Sequence, residues 1–185
     1  MTNKILRLFL LLAIYLVSQT IQAGLASVPK NTLYGCDFKS NSRIYLINNL
    51  TAQVTSEGQI NLTTACTDIA FAGTTLYGTT FNNFLIVDPK SGKASVKGSY
   101  GLGVNDINAL AVQPGTKKIF GAGSNRPGRF IVINPSTGRA STLGYFGTYY
   151  SSAGDLVFLN NILYATINDL RKPGMSILAK ISLSS

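Results

Sequence analysis

Residues 66–101 of this 185-residue chain read CTDIAFAGTTLYGTTFNNFLIVDPKSGKASVKGSYG, and residues 107–147 read INALAVQPGTKKIFGAGSNRPGRFIVINPSTGRASTLGYFG. Each stretch contains four short runs of aliphatic, aromatic and Thr residues, and turn sequences rich in Gly, Pro and Asn separate these runs. No helix signal interrupts either copy. Short β-type runs between tight turns predict a four-stranded antiparallel sheet in each copy.

A Leu-Tyr-Gly-like triplet marks each copy of the pattern and gives its period. The first residues of successive triplets are 43, 43 and 44 positions apart in Leu33-Tyr34-Gly35, Leu76-Tyr77-Gly78, Ile119-Phe120-Gly121 and Leu163-Tyr164-Ala165. A fixed period in the forties with strand residues indicates a β-propeller-like repeat array. We therefore predict an all-β fold of about four four-stranded antiparallel blades, at approximately residues 26–60, 66–101, 107–147 and 153–185.

The two outer copies are shorter than the two inner ones. The first has only Ala26–Val28 to serve as its innermost strand, and the last reaches Ser185 before an outermost strand. Three arrangements remain open: a four-bladed ring completed by residues 24–29, a larger ring that is truncated or completed by another chain, and an open arc. The incomplete last copy favours a larger, incomplete propeller. Open blade edges are also expected to permit self-association.

The first 23 residues have the pattern of a secretory signal peptide. Lys4 and Arg7 form a basic start, residues 8–17 are an apolar run, and Ile21-Gln22-Ala23 resembles a cleavage site. The apolar run is too short for a membrane-spanning helix, which needs about 20 residues. We predict an N-terminal signal helix at residues 1–23, a mature domain at 24–185, secretion or periplasmic location, and no stable membrane insertion after cleavage.

Charge and composition limit the chemistry of the chain. Sixteen Lys and Arg residues against seven Asp and Glu give a net charge of +9, and the chain has no His. A positive excess of this size favours acidic glycans, anionic cell surfaces or nucleic acid as partners. The positive charges are scattered and form no basic stripe or recognition motif, so we expect no nucleic-acid binding. Without His there is no Ser-His-Asp or Cys-His catalysis and no His-ligated metal. The sequence therefore predicts no catalytic residue, no metal site and no cofactor.

Two turn sequences complete the repeat, at residues 88–92 (DPKSG) and 134–138 (NPSTG). Together with the LYG triplet and the following FLIV-type strand, they resemble bacterial exported propeller repeats, including blades of the YVTN and NHL types. The resemblance implies a propeller topology, in which loops between second and third strands share one face with the connections between blades. We call this face the top face. These loops are the longer and more varied ones in the sequence.

Long, varied loops on a rigid scaffold are typical binding sites, so we expect a protein or glycan partner to bind at the top face. The candidate ligand-binding residues are Asn105, Asp106, Arg126, Tyr149, Tyr150 and Arg171, and Asp169 and Lys172 share the same rim. A plain alternative is that Tyr149 and Tyr150 only anchor their loop. Two alternative hypotheses remain open. In one, the chain is a propeller-type hydrolase or lyase that uses Asp106 and Arg126 with a carboxylate-held cation. In the other, the chain is a truncated fragment of a larger propeller.

Asp68 and Asp155 occupy equivalent positions in the second and fourth copies. Repetition favours a scaffold role, in which the carboxylate bonds to the blade backbone. A cation-binding ring of carboxylates around a central channel is the alternative, and Ala109 interrupts that ring in the third copy.

Cys36 and Cys66 are the only cysteines in the chain. An exported protein permits a disulfide, and in the propeller topology both residues lie near the top of adjacent blades. We predict a Cys36–Cys66 disulfide that joins the first two blades, with two free buried thiols as the alternative.

Overall fold

The computed structural model describes residues 32–103 and 105–183, which belong to a compact unit spanning Asn31–Ser185. The predicted signal peptide at 1–23 and the strand expected at 26–28 lie outside the described residues. Every regular element within the described ranges is a β-strand, and none of these residues forms a helix that could cross a membrane. The prediction of an all-β fold is confirmed.

Within residues 32–103 and 105–183, fourteen strands form four antiparallel sheets, which we number as blades 1 to 4. Blade 1 contains β1 (Thr32–Cys36), β2 (Arg43–Asn48) and β3 (Val54–Gln59). Blade 2 contains β4 (Asp68–Ala72), β5 (Thr75–Thr79), β6 (Asn83–Val87) and β7 (Ala94–Ser99). Blade 3 contains β8 (Ile107–Val112), β9 (Ile119–Gly123), β10 (Arg129–Ile133) and β11 (Ala140–Tyr145). Blade 4 contains β12 (Tyr150–Leu159), β13 (Ile162–Asp169) and β14 (Ser176–Ile181).

In each blade the strands pair in chain order, as a meander. The short connections predicted from the sequence produce this order. The turns after β6 and β10 each begin with a side chain that accepts a backbone hydrogen bond, since Asp88 Oδ1 accepts from the Lys90 amide and Asn134 Oδ1 from the Ser136 amide, both at 2.9 Å. Each turn ends in a glycine of positive φ, at Gly92 (71°) and Gly138 (76°).

The core consists of three apolar clusters, one between each pair of consecutive blades. Side chains alternate along each strand, so one face of a blade packs on the preceding blade and the other face packs on the next. Between blades 2 and 3, for example, Phe84 and Tyr77 stack with centroids 4.9 Å apart and pack in one cluster with Ile131. Stacking of this kind buries the apolar residues that a single blade would expose.

The blades are also joined by backbone contacts that recur with the repeat. Gly58 in blade 1 lies directly against Ser91 in the turn of blade 2, and Gly98 in blade 2 lies in the same way against Thr137 in the turn of blade 3. A Cβ atom at either glycine would overlap a carbonyl oxygen of the neighbouring turn. Gly144, the equivalent residue of blade 3, has no atom of the described chain within 4 Å of such a Cβ.

The sequence predicts a loop at residues 145–153 and the first strand of the fourth copy from Asp155, whereas strand β12 begins at Tyr150. Residues 150–152 pair with the end of β13, and the register shifts between Ser152 and Asp155. Gly154 takes a φ of 111° in this bulge, which breaks the alternation that marks a strand in the sequence. The region predicted as a loop between 145 and 153 is therefore partly strand.

Candidate functional site

Five of the top-face residues form one cluster between blades 3 and 4, which we call the Arg–Tyr cluster: Arg126, Tyr149, Tyr150, Asp169 and Arg171. The Tyr149 ring has two guanidinium groups over it, with Cζ of Arg126 at 4.8 Å and Cζ of Arg171 at 5.5 Å from the ring centroid. Arg171 also lies over the Tyr150 ring, at 5.2 Å. Cation–π contacts of this kind favour one arrangement of the cationic groups.

Three chain segments bring the cluster together. Arg126 lies in the connection from β9 to β10, Tyr149 precedes β12, and Arg171 follows β13. Tyr150 and Asp169 are direct partners in the β12–β13 ladder, so the sheet itself fixes their separation. These are the types of connection that propeller topology places at a single face.

Asp169 orients Arg171 through a bidentate ion pair. The Arg171 Nε atom donates to Asp169 Oδ1 at 2.9 Å, and its Nη2 atom donates to Asp169 Oδ2 at 3.0 Å. Nη2 also donates to the Tyr150 hydroxyl at 2.6 Å. The hydrogen bond from Arg171 holds the pKa of Asp169 below its ordinary value, and the same bond raises the pKa of Arg171. Arg171 is thus a fixed cation rather than a mobile one.

Arg126 has more donors free for a ligand. Its Nε atom donates to the Thr148 carbonyl at 2.7 Å, which holds the side chain against Tyr149. No hydrogen bond or ion pair from its two terminal nitrogens is found within the described ranges. Tyr149 is 44% exposed, so the cluster opens to solvent. With Lys172 alongside, the rim carries three positive groups against one carboxylate.

No hydrogen bond, ion pair or ring contact joins the other two predicted ligand-binding residues to the cluster within the described residues. Asn105 is exposed, whereas Asp106 is buried against Gly123. Burial raises the pKa of Asp106, and its Oδ1 atom has no hydrogen-bond partner among the residues that the structure describes. Neither a hydrogen bond nor an ion pair joins Asp106 to Arg126 in the part of the chain described. Among the same residues, no three His, Cys, Asp or Glu side chains converge as metal ligands.

Asp68 connects blade 2 to blade 3 through its carboxylate. Oδ2 accepts a hydrogen bond from the Leu110 amide and Oδ1 accepts one from the Ile69 amide, both at 2.7 Å. This arrangement matches the scaffold role expected from the repeat. Asp155 accepts from the following amide, of Leu156. Burial raises the pKa of Asp68 to about 7, with the charge of Asp155 adding to the effect.

The raised pKa of Asp68 predicts a pH-dependent stability. An unfolded Asp has a pKa of about 3.9, so the folded chain binds this proton more tightly. The contribution to the unfolding free energy is therefore complete below about pH 4 and is lost as the pH rises towards 7. Urea unfolding measured from pH 4 to pH 7 should show a steeper fall of the unfolding free energy with pH for the natural chain than for Asp68→Asn. Equal slopes for the two proteins would contradict the assignment.

Cys36 and Cys66 are both unbonded thiols in the structure. Cys66 is buried and Cys36 is half-buried in the same cluster between blades 1 and 2. A hydrogen bond between the two side chains, together with burial, raises the pKa of the Cys66 thiol. The thiols are therefore neighbours, and the disulfide itself stays a prediction.

Comparison with known proteins supports the fold and leaves the family open. No family model and no curated protein matches the sequence. An auxiliary nutrient binding protein from Bacteroides thetaiotaomicron has a TM-score of 0.54 at 12% identity, over 76% of this chain and 36% of that chain. Regucalcin, a calcium-binding protein from Agrobacterium tumefaciens, has a TM-score of 0.50 at 17% identity, over 75% of this chain and 50% of that chain.

An extracellular domain from B. thetaiotaomicron matches 83% of this chain and 21% of that chain, with a TM-score of 0.47 at 17% identity. This chain thus spans between about a fifth and a half of the solved chains that it resembles. The described residues have the fold of a partial β-propeller. The resemblance to YVTN- and NHL-type blades stays a prediction.

Sequence reasoning selected most members of the Arg–Tyr cluster from loop length and residue type. It did not identify the Thr148 carbonyl, which positions Arg126, because backbone acceptors leave no mark in a sequence. It also grouped Asn105 and Asp106 with the cluster. Asp106 is hydrogen-bonded to the backbone of Asn125, the residue before Arg126, and a ligand-binding role for Asn105 and Asp106 stays a prediction.

Proposed function

We propose that the chain is an exported, non-enzymatic β-propeller module that binds an acidic glycan through the Arg–Tyr cluster. The observation that carries this proposal is the pair of guanidinium groups held over Tyr149 at a solvent-exposed rim. Guanidinium groups bind carboxylate and sulfate groups with paired hydrogen bonds, and this pair is held in place before any ligand arrives.

The positive charge of the Arg–Tyr cluster and of the whole chain favours an anionic ligand over a neutral sugar. The guanidinium groups over Tyr149 compete with a sugar ring for the aromatic face. The terminal nitrogens of Arg126 can instead donate hydrogen bonds to an anionic group of the ligand. Residues 24–185 carry a net charge of +7, which attracts polyanions to the whole module. Support for a binding role also comes from the similar solved chain that is named an auxiliary nutrient binding protein.

The proposal includes export, since residues 1–23 have the signal-peptide pattern, and it includes a Cys36–Cys66 disulfide in the oxidised protein. The neighbouring thiols of the structure support this pairing. A hydrolase or lyase remains the alternative function. Its proposed pair, Asp106 and Arg126, is not joined by a hydrogen bond or ion pair in the described residues.

Titration with defined polysaccharides tests the proposed function. We expect the protein to bind a polyuronate and a sulfated polysaccharide, and not to bind neutral dextran. Arg126→Gln should weaken binding about 10- to 150-fold, because a hydrogen bond to a charged group contributes about 1.5–3 kcal/mol. Calorimetry gives the affinities, and an assay for new reducing ends on the same mixtures detects cleavage.

Arg139→Gln is the matched control, because it makes the same charge change at an exposed residue outside the cluster. Its affinity should stay within about twofold of the natural protein, as expected for a charge that contacts no ligand. Equal losses in both variants would show non-specific charge attraction and contradict the proposal. Binding to an acidic protein but to no polysaccharide would replace the glycan with a protein partner, and catalytic cleavage would favour the enzyme.

A further inference from the structure

The two ends of the described array expose sheet faces of a kind that is buried everywhere else in the molecule. We call the side of a blade that faces the next blade its leading face and the opposite side its trailing face. Blades 1 to 3 bury their leading faces, and blades 2 to 4 bury their trailing faces. The leading face of blade 4 and the trailing face of blade 1 contact no other blade among residues 32–103 and 105–183.

The leading face of blade 4 has apolar residues at interface positions. By strand register, Leu178 is equivalent to Phe84 and Phe130. Those phenylalanines are 0% and 7% exposed, whereas Leu178 is 68% exposed. Val157 is likewise equivalent to Ala111 and is exposed, while Ala111 is buried. Blade 4 therefore carries the side chains of a blade interface without the neighbour that would cover them.

The trailing face of blade 1 also exposes apolar residues whose equivalents in blade 2 are covered by the preceding blade. Leu33 is equivalent to Leu76 and is 55% exposed, whereas Leu76 is 1% exposed. Val54, at the position of Ala94, is 58% exposed. Ile47 lies between these two residues in the ladder and extends the apolar surface. Neighbouring apolar side chains exposed on one side of a sheet mark an interaction surface.

The identity of the occupant follows from the repeat. A leading face and a trailing face are the two halves of one interface, which the chain already forms three times within itself. A surface complementary to each exposed half is therefore present on every other copy of the chain. Asp155 and Lys180 are the charged residues of the leading face in strands β12 to β14. The aliphatic stem of Lys180 can lie along apolar surface with the ammonium group at the rim.

We propose that two copies of this chain associate head to tail, with the leading face of blade 4 in each copy packed on the trailing face of blade 1 in the other. Such a contact is heterologous, and it forms a ring when the rotation between copies closes. Two copies of four blades make an eight-bladed ring, the upper end of the usual range of about four to eight.

Sedimentation velocity of the mature protein, with a single Asp placed on one end face at a time, tests this arrangement. We expect the natural protein to sediment as a dimer. Leu178→Asp and Leu33→Asp should each give monomers, since either change puts a charge into both contacts of the ring. An equimolar mixture of the two variants should again give dimers, because the unmodified leading face of one variant can pair with the unmodified trailing face of the other.

Val96→Asp is the control, because Val96 is exposed on the outer strand β7 and belongs to neither end face. It should remain dimeric, and circular dichroism should show the same strand content in all variants. The proposal is overturned if the natural protein is monomeric, if it forms larger assemblies, if both single variants stay dimeric, or if the mixture of variants stays monomeric.

Discussion

Gly98→Ala is expected to lower the free energy of unfolding by about 3 kcal/mol, the upper end of the usual cost of overpacking. The new Cβ would occupy the position of the Thr137 carbonyl oxygen in the turn of blade 3. A backbone carbonyl has no rotamer to change, so blades 2 and 3 would have to move apart. Gly138 lies on the other side of the same contact and has a φ of 76°, so the turn has little freedom to adjust. Equilibrium denaturation with urea measures the loss.

Gly144→Ala is the matched control for this prediction, because Gly144 occupies the same position in blade 3. No atom of the described chain lies within 4 Å of the position that the new Cβ would take, so the unfolding free energy should change by less than about 0.5 kcal/mol. A loss at Gly144 as large as that at Gly98 would contradict the account, since it would mean that an unidentified segment covers blade 3. An unchanged stability of Gly98→Ala would contradict the contact between the two turns.

The second large effect is expected at Phe84, where replacement by Ala should cost about 3–5 kcal/mol, the usual range for a buried Phe. Phe84 is fully buried, stacks on Tyr77 and packs in the cluster that joins blades 2 and 3. Truncation therefore removes apolar contacts from both blades at once. Urea unfolding followed by tyrosine fluorescence measures the change.

Phe84→Leu keeps most of the apolar volume and should cost about 1 kcal/mol, as for other changes that nearly conserve volume. Val96→Ala, on the neighbouring strand, is at an exposed position and should change stability by less than about 0.5 kcal/mol. Equal losses for Phe84→Ala and Val96→Ala would show that Phe84 does not lie in a blade interface.

Local sequence features were sufficient to predict the strands of blades 2 and 3. The first and last residues of these strands are set by features that act over a few residues. These features are alternating side chains, an Asx residue that opens the turn, and a glycine that closes it. For example, the sequence predicts the outer strand of the second copy at residues 94–98, and strand β7 spans Ala94–Ser99. The start of β12 was wrong because Gly154 forms a bulge, and a bulge depends on the neighbouring strand rather than on its own residues.

The candidate site was less accessible to prediction. Propeller topology decides which loops are neighbours. Arg126, Tyr149 and Arg171 could therefore be assigned to the same face from the positions of their loops between the strands. The pairing of each guanidinium with the Tyr149 ring depends on side-chain conformations that no sequence pattern encodes. The burial of Asp106 was also missed, since an Asn-Asp pair shortly after Gly101 and Gly103 is typical of an exposed loop.

The central claim is that the four sheets stack as successive blades, and amide hydrogen exchange measured by NMR tests it most directly. Among the amides that donate across blade boundaries in the described residues are those of Leu110, to the Asp68 carboxylate at 2.7 Å, and of Ala140, to the Tyr100 carbonyl at 3.0 Å. We expect both amides to be protected as strongly as amides within the ladders of blades 2 and 3, because they exchange only when the blades separate. Exchange of Leu110 and Ala140 at the rate of the exposed turn at residues 49–51, with the ladders still protected, would contradict the stacking of the sheets as a propeller.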